Sequence, residues 1–132
     1  MNILALLTPK IQTLYLNSNC SLRQAIEKFD YHKFSVVPII DDHGKFITTL
    51  SEGDLLRYIK KCGDFSLDES NKIQLLDIER YRPYKALDIS TDYETIVELS
   101  LSQNFVPIVD DRGVYIGIIR RRHVIESLRK KN

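Results

Sequence analysis

Val37-Pro38-Ile39-Ile40-Asp41-Asp42-His43-Gly44-Lys45-Phe46-Ile47 returns later in the chain as Val106-Pro107-Ile108-Val109-Asp110-Asp111-Arg112-Gly113-Val114-Tyr115-Ile116. Pro38 and Pro107 stand 69 residues apart, as do Gly44 and Gly113, and seven of the twelve pairs aligned from position 36 to 47 are identical. The chain is therefore a tandem repeat. Val, Ile and aromatic residues flank each Asp-Asp-x-Gly, in which glycine supplies the positive φ of a tight turn, so each copy predicts a β-hairpin spanning about 35–50 in the first repeat. Behind the hairpins the same offset carries Leu55, Leu56 and Ile59, then Val124, Ile125 and Leu128, spaced to share one helix face.

Working outward, residues 2–8 are mostly apolar and predict a short N-terminal helix before Pro9. Thr13-Leu14-Tyr15-Leu16 predicts a strand that Asn17-Ser18-Asn19 breaks. Ser21 is placed to cap a helix whose Leu22, Ala25, Ile26 and Phe29 form a buried stripe, ending near His32. Ser51 opens the second helix and Gly63 stops it. Polar, turn-rich residues follow, with Leu75–Ile78 expected to dock back as a short helix or turn. The division is thus a first repeat over 1–62, a linker over 63–76 and a second repeat over 77–132. In the second repeat Lys85–Ile89 is the counterpart strand. Thr91 or Asp92 caps a helix carrying Tyr93, Ile96, Val97 and Leu101, about two residues shorter than its twin.

Each half has about 60 residues and is marginal alone, so the halves are expected to share a core. With 43% hydrophobic and 28% charged residues the sequence describes a folded globular protein rather than a disordered one. No apolar run approaches a membrane span and the start lacks the pattern of a signal peptide, which predicts a cytoplasmic protein with no membrane partner. Cys20 and Cys62 have no CxxC or His partner, and His32, His43 and His123 are scattered, so neither a disulfide nor a metal site is expected. The Asp41-Asp42 and Asp110-Asp111 pairs precede turn glycines and read as turn chemistry. With no nucleophile and base assembled, no enzyme and no catalytic cofactor are expected. Net charge is +1, yet Arg120, Arg121, Arg122, His123, Arg129, Lys130 and Lys131 crowd the C-terminus.

The order strand, helix, strand, strand, helix, given twice with the Val-Pro-Ile-Ile/Val-Asp-Asp-x-Gly unit, resembles the cystathionine-β-synthase (CBS) domain pair over nearly the whole chain. The resemblance implies an α+β fold of two β-α-β-β-α repeats packed as a pseudo-twofold pair, and a homodimer. It also implies a non-enzymatic regulatory module that binds an adenine nucleotide (AMP, ADP, ATP or cyclic di-AMP) and signals to a partner, such as a client enzyme. Each nucleotide site of that family takes a Ser/Thr-x-x-Asp from one repeat, with the first strand and the residues before the proline from the other. Here Ser51-Glu52-Gly53-Asp54 carries the pattern, and its partners by resemblance are Ala86, Leu87, Asn104, Phe105 and Val106. A carboxylate suits a ribose diol and free helix N–H groups suit a phosphate. The same four residues also read as a ligand-free capping box.

The second repeat departs from the pattern, with Arg120 and His123 at the aligned positions. Arg120-Arg121-Arg122 adds guanidinium groups to a helix N-terminus, which favours a phosphate-rich ligand. The alternative is that the arginines are solvated or paired with Asp88 or Glu94. Gly117-Ile118-Ile119-Arg120-Arg121-Arg122 is similar to the Gly-Ile-x-x-Arg-Arg of cyclic di-AMP-binding CBS proteins of Gram-positive bacteria. By that resemblance Arg121 and Arg122 hold phosphates, while Gln12, Leu14, Phe34, Ser35 and Val36 contact the nucleotide. Gln12 stands where lysine is usual and Arg120 where threonine is usual. A competing reading makes the chain a ligand-free interaction module that docks through its basic C-terminal helix. Nucleic acid is a less fitting partner, since no clear stacking platform for a strand is present.

Overall fold

A computed structural model of the chain describes residues 2–130; Lys131 of the basic cluster lies outside the described residues. In chain order the elements are β1 (Leu7–Pro9), β2 (Leu16–Asn17), α1 (Leu22–His32), β3 (Val36–Ile40), β4 (Phe46–Ser51), α2 (Glu52–Cys62), β5 (Leu87–Asp88), α3 (Tyr93–Ser100), β6 (Phe105–Val109), β7 (Tyr115–Arg120) and α4 (Arg121–Lys130). Single 3-10 turns occupy Ile3–Leu6, Lys10–Gln12, Glu69–Lys72 and Leu75–Asp77. The fold is α+β, as the resemblance implied. Two compact bodies result: one of Tyr15–Asp42 with Ile47–Pro83, the other of the chain up to Leu14, His43–Phe46 and everything from Tyr84 onward.

The first of these bodies has a three-stranded sheet ordered β2-β3-β4. β2 runs parallel to β3, with Leu16 opposite Ile39, and α1 supplies the crossover that parallel strands require. Ser21 caps α1 in a reciprocal box with Gln24: Gln24 N–H donates to the serine Oγ at 3.2 Å and Ser21 N–H to Gln24 Oε1 at 2.9 Å. The core gathers Leu16, Leu22, Ala25, Phe29, Val37, Ile39, Leu50 and Leu55. Leu75 and Ile78 are buried with them, and Leu22 N–H donates to Ile73 O at 3.0 Å, so the polar stretch after α2 is drawn back onto α1.

The other body has a four-stranded sheet ordered β1-β7-β6-β5. The helix expected over 2–8 is reduced to the Ile3–Leu6 turn, because Leu7–Pro9 extend as a strand and pair antiparallel with β7. Ile3 joins a core of Tyr93, Ile96, Val106, Ile108, Ile119 and Val124. The turn of the first hairpin belongs here too, with Phe46 N–H donating to Gly113 O at 3.1 Å and Tyr115 N–H to Gly44 O at 2.9 Å. β1 crosses β7 so closely that a Cβ on Gly117, whose φ is +153°, would fall 2.2 Å from Thr8 O. Glycine marks a close backbone approach at that position.

Four apolar assignments need correction. Leu56 is 68% exposed, and Ile125 and Leu128 are also exposed; the buried positions are Asp54 and Leu55 on α2, and Val124 and Ser127 on α4. Leu101 lies beyond the end of α3 and is exposed, while Ser100 is buried and donates to Ile96 O at 2.8 Å. With eight residues against eleven, α3 is three shorter than α1.

Two outcomes follow from this geometry. Gly117→Ala should lower stability in urea unfolding by about 2–4 kcal/mol, because backbone must move. Gly113→Ala, with open space around it, should cost only the left-handed conformation, about 1–2 kcal/mol. Asp92 caps α3, and the Thr95 hydroxyl and then its N–H hold the Asp92 carboxyl below its usual range. A carboxyl depressed on folding contributes stability above its unfolded pKa and loses it as pH falls through the folded value. Asp92→Asn keeps the cap without the charge. The urea midpoints of Asp92→Asn and the wild type should therefore differ at neutral pH and converge in acid.

Candidate functional site

Both repeats build one structural device, a strand that runs straight into a helix N-terminus beside the start of the central strand. Glu52 N–H donates to Ser35 O at 2.9 Å, and 69 residues on Arg121 N–H donates to Asn104 O at 2.9 Å. The backbone is thus repeated while the side chains diverge.

In the first repeat Ser51 ends β4 and caps α2. Asp54 N–H donates to Ser51 Oγ at 3.1 Å, and Ser51 N–H donates to Asp54 Oδ2 at 3.0 Å. The Ser-x-x-Asp pattern is thus folded as a capping box. Asp54 is only 3% exposed, and its Oδ1 accepts from Arg57 Nη2 at 3.0 Å and from Tyr81 N–H at 3.1 Å. Phe34, Ser35 and Val36 lie in the same body as Ser51 and Asp54. The Phe34 ring packs on Phe29 at 4.6 Å between centroids, Val36 is half-buried, and Ser35 is exposed with its carbonyl bonded to Glu52.

The second repeat has neither the cap nor the carboxylate. Arg120 ends β7 exposed, opposite Phe105 in the antiparallel register, so the two side chains share a face of the sheet. Arg121 Nε donates to Ser100 O at 2.8 Å, which fixes the guanidinium between α3 and α4. Arg122 pairs with Glu126 at 3.8 Å, with both side chains mostly exposed. No ion pair joins these arginines to Asp88 or Glu94 among the described residues; the Asp88 carboxylate accepts from Ser90 instead. The Ser90 N–H and then its hydroxyl hold the Asp88 carboxyl below its usual range. His123, at the position of Asp54, is half-buried.

Gln12, Leu14, Ala86, Leu87, Asn104, Phe105 and Val106 all fall in the body that carries the arginines. Gln12 and Leu14 are exposed, and Ala86 and Leu87 half-buried. Asn104 N–H donates to Tyr84 Oη at 3.2 Å, and the Tyr84 ring meets Phe105 edge-on at 4.9 Å. Val106 is fully buried, which leaves only its backbone to offer a ligand.

Three residues that shape these sites carry no motif. Arg57 and Tyr81 complete the shell of Asp54. Gln103 is buried and clamps the lead-in to β5 against β6: its Oε1 accepts from Lys85 N–H at 2.7 Å, and its Nε2 donates to Lys85 O and Phe105 O, both at 3.1 Å. Among the described residues no three His, Cys, Asp or Glu side chains gather as metal ligands, and no helix is long and apolar enough to cross a membrane.

No curated protein sequence matches the chain significantly. Among solved structures, CbpB in complex with c-di-AMP superimposes with a TM-score of 0.88 at 18% identity, covering 98% of this chain and 85% of that one. The Listeria monocytogenes CbpB protein in complex with c-di-AMP gives 0.85 at 18% identity, with 99% and 97% covered. CBSX2 in complex with AMP gives 0.73 at 22% identity, with 99% and 98% covered. These likenesses concern the fold. The CBS domain model matches residues 6–61 and again 78–130, so the chain belongs to the CBS-domain family and carries two copies of the domain.

Proposed function

We propose that the chain is a non-enzymatic regulatory module that binds an adenine nucleotide through its two strand-to-helix junctions and passes the bound state to a partner protein. The observation that carries this reading is the start of α4. Exposed cations at a helix N-terminus oppose the macrodipole by about 0.3–1 kcal/mol each, and among the described residues the carboxylate paired with this triplet is Glu126, 3.8 Å from Arg122. A bound phosphate reverses that sign, bridging the arginines and accepting from free helix N–H groups. Arg121 is oriented before any ligand arrives, which lowers the entropy cost of binding. CbpB structures hold c-di-AMP and a CBSX2 structure holds AMP. A doubly anionic cyclic dinucleotide fits the basic junction of the second repeat, and the ribose of an AMP-like ligand fits Asp54 in the first. Signalling to a client then rests on differential affinity for two states.

We also propose that two chains associate through the second helices. Leu56 and Ile125, 69 residues apart, are both exposed, as is Leu128. In the first repeat, Ile26, Phe29, Leu55 and Ile59 line a groove beside Leu56. A second copy would cover these apolar side chains.

Calorimetric titration with cyclic di-AMP, AMP and ATP at one salt concentration tests the first reading. Cyclic di-AMP should bind, and Arg121→Ala or Arg122→Ala should weaken it about tenfold or more, while Asp54→Ala leaves it unchanged. Silence from all three ligands sinks the proposal and favours docking through the basic helix. For association, equilibrium sedimentation should give a dimer that Leu56→Glu with Ile125→Glu converts to monomer.

A further inference from the structure

The carboxylate that the proposed function assigns to a ribose is already engaged. Asp54 Oδ1 accepts from Arg57 Nη2 at 3.0 Å and from Tyr81 N–H at 3.1 Å, although Tyr81 stands 27 positions further along the chain. Three more contacts hold that segment in place. The Arg57 guanidinium lies 3.8 Å from the centre of the Tyr81 ring, Lys61 Nζ donates to the Tyr81 hydroxyl at 3.2 Å, and the same Nζ pairs with Glu79 Oε2 at 3.0 Å.

We propose that Glu79–Tyr81 is a latch over the Ser51–Asp54 junction, so that the first repeat's nucleotide site is closed at rest and opens only when Tyr81 withdraws; this rests on the nucleotide reading of that junction. A ribose diol donates both hydroxyls to a carboxylate and needs both oxygens. Oδ1 already accepts two hydrogen bonds and has no lone pair to spare. The Tyr81 amide must therefore let go before a ribose can be held. The closed state is built to release. The Lys61–Glu79 pair is mostly exposed on both sides and stabilises little. Arg57 Nε is buried with no acceptor among the described residues, which works against closure. The ring of Tyr81 packs on side chains that swing aside together, since Arg57 and Lys61 are both long and flexible.

The latch also lies at the end of the segment Ile47–Pro83, immediately before the chain leaves this body at Tyr84. Nucleotide entry at the first site is thus coupled to release of that segment's end. Affinity there is reduced by the fraction of chains in which the latch is open.

Limited trypsin digestion reads the latch directly, because the Arg80–Tyr81 peptide bond carries the N–H donated to Asp54. Saturating AMP should speed cleavage at Arg80 by about fivefold or more, as the bond leaves its protected state. Arg57→Met should cleave faster without nucleotide and bind AMP about tenfold more tightly by calorimetry. Asp54→Ala should cleave fast throughout and lose the AMP heat. If AMP shows an Asp54-dependent heat but protects Arg80–Tyr81 or leaves its cleavage rate unchanged, or if Arg57→Met weakens AMP, the latch is overturned while the nucleotide site stands. If neither wild type nor Arg57→Met gives an Asp54-dependent heat with AMP, the nucleotide reading of this junction fails and the latch with it.

Discussion

In each repeat the central strand, β3 or β6, has a neighbouring strand on both edges, and Val37, Ile39 and Ile40 of the one and Val106 and Ile108 of the other are almost fully buried. A strand with both edges occupied satisfies its backbone without water, and its position in the sheet then fixes everything beside it. The parallel neighbour requires a crossover helix, and the sequential neighbour on the other edge must return through a tight turn. That returning strand, β4 or β7, ends level with the start of the central one. The helix it enters therefore opens beside the residues just before the proline. The Glu52–Ser35 and Arg121–Asn104 backbone bonds are the signature of that constraint.

On this shared backbone the repeats have placed opposite chemistry. Where the first has a buried carboxylate locked into a cap, an arginine bond and a distant amide, the second has an imidazole and a run of guanidinium groups. A carboxylate recognises hydroxyl donors, whereas guanidinium recognises phosphate. The two junctions are accordingly not duplicates awaiting the same ligand in the same way. The difference arises at four side-chain positions without any change in the course of the main chain.

The hairpins were legible because Asp-Asp-x-Gly is local chemistry, and Gly44 and Gly113 do take φ near +80°. Ser21 and Ser51 were legible as caps for the same reason, and Asp92 as one of two candidates beside Thr91. Periodicity placed α2 and α4 but misjudged which part of a wide apolar stripe faces inward, since Leu56 and Ile125 satisfy the helical spacing as well as Leu55 and Val124 do. Tertiary pairing overrode the helical pattern of residues 2–8, a competition that spacing alone does not register. The shell around Asp54 was illegible, because an amide 27 positions away leaves no periodic trace. Gln103 was equally hidden, a single polar residue whose value lies in two backbone partners across the sheet.

The pairing of β1 with β7 joins Leu7 to Ile119. During synthesis this means that the four-stranded sheet waits for its own last strand. Tyr15–Pro83, apart from one short turn, contains all that the first body needs and can collapse as it emerges. The second sheet must hold its edge strand in reserve until more than a hundred further residues have been made, a high-contact-order closure that comes late and slowly. The arginine-bearing junction follows β7 directly and so takes shape only with that late strand.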